Sequence, residues 1–113
     1  MNKYYIAYGS NMNLEHMSHT CPTAKVKGVG SLINWNLVFR SEGDEAFATI
    51  EPFENRRVPV VIWDIKPFDE EALDVYEEYP LLYRKDVITA VLEGEELEAM
   101  VYIMNGNIAR VIS

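Results

Sequence analysis

The sequence predicts an α+β domain in which a mixed sheet curls into a small β-barrel, with one or two short helices. Two observations favour this fold class. Most of the 113 residues fall into short β-like segments separated by Gly, Asn, Asp or Pro, whereas only two segments have helical spacing. Those two helical segments are inserted after the first and the fifth predicted strands.

The first predicted elements are a strand and a short helix. Residues 3–8 have the aromatic and β-branched side chains of a strand, which the following Gly-Ser-Asn interrupts. Residues 13–20 are predicted as a helix, with Asn13 as the N-cap and with Leu14 and Met17 on one side. A Cys-Pro pair then ends this helix, because the residue before a proline avoids helical geometry.

Four more β-like segments follow: Val26–Ile33, Trp35–Arg40, Ala46–Glu51 and Val58–Ile65. The last of them is almost continuously apolar, which predicts a central strand, and its Pro59 is expected at the start or at a bulge. A second helix is predicted from Pro67 to about Tyr79. Residues 82–91 and 96–104 are predicted to form a terminal hairpin, and the last residues show no clear element.

Composition limits the classes of function. The length predicts a single domain over residues 1–113, with 49% hydrophobic residues to supply a modest core. A formal charge of −8 disfavours nucleic acids and anionic membranes as partners. The sequence has no long apolar run and no signal-like N-terminus, so we expect no membrane span and a cytoplasmic location. The single Cys21 excludes an intrachain disulfide and a cysteine-based zinc site.

Several other residues have side chains that could bind a metal or act as a nucleophile, but their sequence context favours structural roles. Glu15, His16 and His19 are loosely spaced and have no further histidine to join them, so a solvated helix face is the preferred interpretation. Ser10 lacks the flanking Gly-x-Ser-x-Gly context of a nucleophile, and its backbone is the more plausible contributor. We therefore expect neither a metal nor a cofactor.

The most informative element is the second helix, PFDEEALDVYEEYP. Asp69 is expected to cap its start. Leu73, Tyr76 and Pro80 stand at helical spacing and define an inward side. Glu77 lies four residues after Leu73 and is therefore predicted on that same side.

An ionised carboxylate among apolar side chains is costly unless a partner compensates it. One interpretation is that Glu77 turns outward at the helix end or pairs with Arg84 or Lys85. The other is a partly desolvated general base whose pKa is raised toward neutrality. The helix pattern alone leaves both open. The remaining acidic residues of the helix form a separate stripe that is predicted to face solvent: Glu70, Asp74 and Glu78.

The order of several motifs resembles the γ-glutamylcyclotransferase-like family. YGSN ends the first strand, and LDVYEEYPLLYRK follows about 60 residues later. The segments NMNLEHM, CPTAKVKGVGSL, NWNLVF, ATIEP and VVIWDI, which lie between these two motifs, also resemble family segments. The resemblance covers residues 1 to about 104 in the family's order.

The resemblance implies a small barrel-like α+β domain with a cavity at one end. It also implies a cofactor-independent enzyme that converts a small γ-glutamyl compound to 5-oxoproline and releases an amine or amino acid. The family's catalytic glutamate matches Glu77. The family's substrate-binding positions match a loop and one tyrosine that follows the glutamate: Tyr8, Gly9, Ser10, Asn11 and Tyr83.

Three departures from the family pattern leave alternatives open. Glu78 and Val60 occupy positions where many relatives have glycine. The family's C-terminal helix has no counterpart before Ser113, and the apolar face that it would cover is a candidate homodimer interface. A non-catalytic binding member of the fold remains an alternative, as does an enzyme that removes a γ-glutamyl group from a larger biosynthetic intermediate.

Overall fold

The sheet of this protein closes on itself as a small mixed β-barrel. The computed structural model describes residues 3–42, 44–106 and 109–110. Their elements, in chain order, are β1 (Lys3–Ala7), a 3₁₀ turn (Ser10–Met12), α1 (Leu14–Thr20), β2 (Lys25–Glu42), β3 (Glu45–Ile65), α2 (Pro67–Tyr76), β4 (Tyr83–Leu92), β5 (Glu95–Met104) and β6 (Ala109–Arg110).

Five strands form the closed ring. Their order is β3-β1-β5-β4-β2, and pairing of β2 with β3 closes the barrel. β1 is antiparallel to β3 and parallel to β5, whereas the other ring pairs are antiparallel. The mixed α+β barrel predicted from the sequence is therefore confirmed. Neither α1 nor α2 is long and apolar enough to cross a bilayer.

The four central β-like segments are two long strands, β2 and β3. The expected break near residue 34 is a register shift between Ile33 and Trp35, where the chain continues in the same strand. Asn34 and Asn55 have φ values of 66° and 67°, which Asn adopts more readily than most residues. The Asn55 N–H donates to Asn34 Oδ1 at 3.0 Å. The prediction of four strands is wrong because a β-bulge uses the same residue types as a turn.

The core lies on both faces of the strands, since successive side chains of a strand point to opposite sides. One cluster packs the two helices against the sheet and includes Met17, Cys21 and Leu73. The other consists of strand residues alone, with Ile6 and Val60 among them. β3 has partners on both edges, which confirms the prediction that the apolar segment near its end is central.

The first helix begins where the sequence predicts. The Asn13 side chain accepts a hydrogen bond from the His16 N–H at 2.9 Å, as expected for an N-cap. Met17 is fully buried, but Leu14 is 62% exposed, so the predicted Leu14–Met17 face is wrong. Cys21, four residues after Met17, is buried with it. This short helix therefore contacts the core through its C-terminal side.

The second helix begins at Pro67, and Lys66 is its N-cap residue. Asp69 occupies the third helical position, where its carboxylate accepts the Lys66 N–H at 2.9 Å. Asp69 thus caps the helix from inside the first turn, whereas the sequence analysis placed Asp69 at the N-cap position. Its buried carboxylate also accepts from Thr23 Oγ1 at 3.2 Å, which joins the start of α2 to the segment before β2.

This helix ends at Tyr76, earlier than the predicted end near Tyr79. Glu77 is the C-cap residue, and its N–H donates to Leu73 O at 2.8 Å. Glu78 then takes a positive φ of 53°, which ends the right-handed helix. Of the three residues predicted to define the inward side of the helix, Leu73 is buried, Tyr76 is 43% exposed and Pro80 is exposed. The predicted inward side is therefore wrong for Tyr76 and Pro80.

The terminal hairpin is confirmed as β4 and β5, which pair along their full lengths. Glu93 and Gly94 between them both have positive φ, at 52° and 81°, as a tight hairpin turn requires. β6 was not expected from the sequence; its two residues pair with β2 at Arg40 and Ser41. Residues 107–108 and 111–113 lie outside the described residues. The homodimer stays a prediction.

Gly30 marks the place where β2 meets β4 to complete the ring. A Cβ there would lie 2.5 Å from the Val91 carbonyl oxygen, a backbone atom with little freedom to move. At Gly28 a Cβ would instead meet the flexible end of Leu92, 2.7 Å from Cδ1. We expect Gly30→Ala to lower the free energy of unfolding by about 3 kcal/mol and Gly28→Ala by about 1 kcal/mol. Urea denaturation of both variants measures this, and equal losses would contradict the role given to Gly30.

Candidate active site

A cavity of about 370 Å³ opens at one end of the barrel. It lies between the turn after β1, the end of α2, the start of β4 and the first part of β3. All six residues that the sequence analysis assigned to a site line this cavity: Tyr8, Gly9, Ser10, Asn11, Glu77 and Tyr83. Four further tyrosine or glutamate side chains line it as well: Tyr5, Tyr76, Glu78 and Tyr102.

Glu77 brings a carboxylate into this cavity from the end of α2. Its side chain is half-buried, and burial raises the pKa of the carboxyl to about 7. Within the part of the chain that the structure describes, no residue forms an ion pair or a hydrogen bond with this carboxylate. Glu77 can therefore gain or lose a proton near neutral pH. Its position agrees with the inward interpretation of the sequence, while its chemical role stays a prediction.

The cations that could have neutralised Glu77 are bound elsewhere. Lys85 Nζ lies 2.6 Å from Glu70 Oε2 and 2.9 Å from Asp74 Oδ1. Burial opposes the charge of Lys85, but these two carboxylates outweigh burial and raise the lysine pKa. Arg84 donates to the Met104 carbonyl oxygen at 3.2 Å. Glu70 and Asp74, which the helix pattern assigned to solvent, are therefore ion-pair partners of Lys85 instead.

The loop after β1 is held by side-chain contacts on three sides. Ser10 Oγ and the Tyr76 hydroxyl share a hydrogen bond of 2.9 Å. The Asn11 carbonyl oxygen accepts from Trp63 Nε1 at 3.0 Å, and Asn11 Nδ2 donates to the Tyr5 hydroxyl at 2.9 Å. These contacts fix the 3₁₀ turn against α2, β3 and β1. The first N–H groups of such a turn have no partner within the turn itself.

Tyrosines form much of the cavity wall, and most of their hydroxyl groups are used within the protein. Tyr8 donates to the Tyr102 carbonyl oxygen at 2.6 Å, and Tyr83 donates to the Ala48 carbonyl oxygen at 2.7 Å. Tyr102 donates to Asp74 Oδ1 at 2.6 Å. The Tyr83 position implied by the family resemblance is thus a wall position, with its hydroxyl bonded to β3.

The sequence analysis did not identify three of these tyrosines as site residues. Tyr5, Tyr76 and Tyr102 are among seven tyrosines in the chain, and composition gives no means of ranking them. Tyr4 and Tyr5 are adjacent and chemically identical, yet Tyr5 alone of the two lines the cavity. The alternation of faces in β1 separates the two, but only strand pairing shows which face is which.

The described ranges contain no group of three or more His, Cys, Asp or Glu side chains placed to hold a metal ion. Hydroxyl groups, backbone amides, the Asn11 carboxamide and two carboxylates, of which Glu77 has a pKa near 7, line the site. Fold and site together define a class: a small β-barrel protein whose end cavity holds an unpaired, half-buried carboxylate.

Comparison with known proteins identifies the family. A family model described as "Gamma-glutamyl cyclotransferase, AIG2-like" matches residues 5–112, so the chain belongs to this family. No curated protein sequence matches the chain. The resemblance drawn from YGSN and the later LDVYEEYP motif is therefore confirmed at the level of the family.

Solved structures share the fold at low sequence identity. A structure named gamma-glutamyl cyclotransferase has a TM-score of 0.89 and 23% identity, covering 97% of this chain and 70% of its own. An uncharacterized protein from Homo sapiens has a TM-score of 0.88 and 24% identity, with 96% and 69% covered. YkqA from Bacillus subtilis has a TM-score of 0.81 and 19% identity; the match covers 99% of this chain and 44% of YkqA. These TM-scores establish a common fold.

Two departures from the family pattern are accommodated by the structure. Glu78 has a φ of 53°, a conformation that glycine adopts at the lowest cost. Val60 is fully buried in the strand cluster and is not a cavity residue. The raised pKa of Glu77 is caused by burial, so the Glu78 charge does not account for it.

The half-buried Glu77 carboxylate makes stability depend on pH. Its pKa is about 7 in the folded protein and about 4.3 in an unfolded chain, so folding favours the protonated form. The free energy of unfolding that the protonated carboxyl contributes is complete below about pH 4 and is lost as the pH rises to about 7. We expect Glu77→Gln, which stays neutral, to exceed the wild type in free energy of unfolding by about 2–3 kcal/mol at pH 8 and to match it near pH 4.

Urea denaturation between pH 4 and pH 8 measures this difference. Glu71→Gln, which changes an exposed carboxylate of the same helix, is the matched control and should follow the wild type. A difference between Glu77→Gln and the wild type that is constant across the pH range would contradict the desolvated carboxylate.

Glu78 should carry a conformational cost that glycine removes. We expect Glu78→Gly to raise the free energy of unfolding by about 0.5–1 kcal/mol, since the left-handed conformation costs a non-glycine residue more than glycine. Glu71→Gly, inside α2, should instead lower the free energy by about 1 kcal/mol. Thermal unfolding followed by circular dichroism compares the two, and a Glu78→Gly variant less stable than the wild type would contradict this explanation.

Proposed function

We propose that this protein is a γ-glutamyl cyclotransferase, which forms 5-oxoproline from a small γ-glutamyl compound and releases an amine or amino acid. One observation carries the proposal: Glu77, an unpaired carboxylate with a pKa of about 7, lines the same cavity as the loop of residues 8–11. Membership of the γ-glutamyl cyclotransferase, AIG2-like family supports it.

The chemistry requires one group that both accepts and donates a proton. The α-amine of the γ-glutamyl group attacks its own γ-carbonyl carbon, and the new C–N bond closes a five-membered ring. The bond from that carbon to the leaving nitrogen then breaks. The α-ammonium group first loses one proton to solvent. As the neutral amine bonds to the carbon, Glu77 accepts a second proton from it and then gives that proton to the leaving nitrogen, so the lactam keeps one N–H and the amine leaves neutral. A pKa near the working pH suits a group that performs both transfers.

The cavity would orient the bound γ-glutamyl substrate. Its volume of about 370 Å³ lies within the range of small-molecule sites. Holding the γ-glutamyl chain curled brings amine and carbonyl together, which replaces much of the entropic cost of ring closure. The N–H groups of the loop are placed to bind a carboxylate or a carbonyl oxygen. At Gly9 a Cβ would meet only Ala48 Cβ, at 3.9 Å, so the space beside this residue is open to a ligand.

Turnover of a panel of γ-glutamyl amines, amino acids and peptides tests the proposal, with 5-oxoproline measured by mass spectrometry. We expect Glu77→Gln to lower kcat by about 100- to 10,000-fold, the usual contribution of general acid–base catalysis. The value of kcat/KM should rise with pH through about 7, because the base must be deprotonated to accept the amine proton.

Glu71→Gln again serves as the control and should retain the wild-type rate. Folded protein that yields no 5-oxoproline from any member of the panel would overturn the proposed activity. Thermal stabilisation by 5-oxoproline without turnover would indicate a non-catalytic binding member of the fold.

A further inference from the structure

The hydroxyl protons of the cavity tyrosines are unequally available. Tyr8, Tyr83 and Tyr102 donate theirs to oxygen acceptors of the protein. Tyr76 shares a hydrogen bond with Ser10, which uses one hydroxyl proton of that pair. A tyrosine hydroxyl has a single proton to donate. Tyr8, Tyr83 and Tyr102 therefore serve chiefly to build the wall, whereas the Ser10–Tyr76 pair keeps one hydroxyl proton.

Tyr5 differs from the other four because its hydroxyl receives a hydrogen bond. Asn11 Nδ2 donates to it at 2.9 Å, which occupies a lone pair and leaves the proton unused. No acceptor for that proton lies in the described part of the chain. The side chain is only 3% exposed, and its ring contacts the Tyr102 ring edge-to-face at a centroid distance of 5.9 Å. The hydroxyl is thus held in one place.

Asn11 has an unused hydrogen-bond acceptor, whereas Tyr5 has an unused donor. Asn11 is 2% exposed, and its Oδ1 is buried without a hydrogen-bond partner among the described residues. Both Asn11 and Tyr5 line the cavity. Leaving a buried donor and a buried acceptor unused costs stability, so such groups in a native protein require an explanation. A bound molecule that supplies an acceptor and a donor on neighbouring atoms would satisfy both.

Tyr5 is a donor and not a base. Burial first, and the nearby Glu77 carboxylate second, raise the pKa of its hydroxyl well above the ordinary value. The proton therefore stays on Tyr5 at the pH at which Glu77 titrates. Tyr5 and Glu77 line the same cavity.

We infer that the Tyr5 hydroxyl donates a hydrogen bond to the γ-carbonyl oxygen of the bound substrate, while Asn11 holds that hydroxyl in position and accepts from the α-amino group through Oδ1. This inference rests on the proposed function and extends it, since it assigns stabilisation of the developing oxyanion to a side chain. The product fits the same pair, because the lactam of 5-oxoproline presents a carbonyl oxygen and an N–H on adjacent atoms.

The steps balance without another reactant. As the α-nitrogen bonds to the γ-carbon, the carbonyl π electrons move onto oxygen and strengthen the hydrogen bond from Tyr5. They return when the bond to the leaving nitrogen breaks. Tyr5 keeps its proton throughout, and Glu77 carries the proton from the attacking nitrogen to the leaving one.

Tyr5→Phe removes the hydroxyl alone and keeps the ring packing. We expect this substitution to lower kcat by about 100-fold, as loss of an oxyanion donor does, with KM nearly unchanged. The unfolding temperature should fall moderately, because the buried Asn11 Nδ2 loses its acceptor. Tyr4→Phe is the matched control, since Tyr4 is the preceding residue of β1 and is not a cavity residue; it should keep the wild-type kcat. A wild-type kcat in Tyr5→Phe, or equal losses in both variants, would overturn the inference.

A binding measurement separates this inference from the proposed function. 5-Oxoproline labelled with carbon-13 at the lactam carbonyl should show a downfield carbonyl shift on binding to the wild type and a smaller one with Tyr5→Phe. That difference in a protein without turnover would support the Tyr5 contact and refute the activity. Equal shifts in an active protein would refute the contact alone. Absence of both binding and turnover would overturn both.

Discussion

The ion pairs of Lys85 determine how the rest of the site is arranged. Lys85 on β4 is shared by Glu70 and Asp74 on α2, and its Nζ lies 4.3 Å from the centre of the Tyr79 ring. Asp74 also accepts from Tyr102 of β5. These contacts hold α2 against β4 and β5 and engage Lys85 with other carboxylates. Glu77, at the end of the same helix, is therefore delivered to the cavity without a countercharge, which is the condition for a pKa near neutrality.

The wall around Glu77 is rigid for a related reason. The hydroxyls of Tyr8 and Tyr83 are bonded to backbone carbonyl oxygens, so each aromatic ring is tied to a strand. A cavity built from tethered rings keeps its shape when it is empty, which lowers the cost of ordering a small flexible substrate. Tyr5 and Asn11 are bonded to each other and leave one donor and one acceptor unused. The polar groups that a ligand could satisfy thus include this pair, the Glu77 carboxylate and the second hydroxyl proton of the Ser10–Tyr76 pair.

The two residues that depart from the family pattern, Val60 and Glu78, fit the fold without rearranging the backbone around the cavity. Val60 fills the strand cluster, and Glu78 adopts the backbone conformation that a glycine would take. Glu78 does add a second carboxylate beside Glu77. Because burial causes the raised pKa of Glu77, the chemistry at that position does not depend on its neighbour. The site residues implied by the family resemblance all line one cavity, whereas the leaving group is a matter for the substrate panel.

The sequence by itself determined the α+β class, both helices and the terminal hairpin, since these depend on local spacing that the chain carries in every conformation. The helix pattern alone left the inward position of Glu77 as one of two interpretations. Through the order of its motifs the sequence also indicated the loop at residues 8–11. Tertiary structure decided that the segments around Asn34 and Asn55 are bulges in two long strands, because pairing across the sheet compensates the irregular residues. It also decided that Lys85 binds Glu70 and Asp74, and that Tyr5 rather than Tyr4 faces the cavity. Such outcomes depend on groups far apart in the chain, whose distances exist only once the barrel has closed.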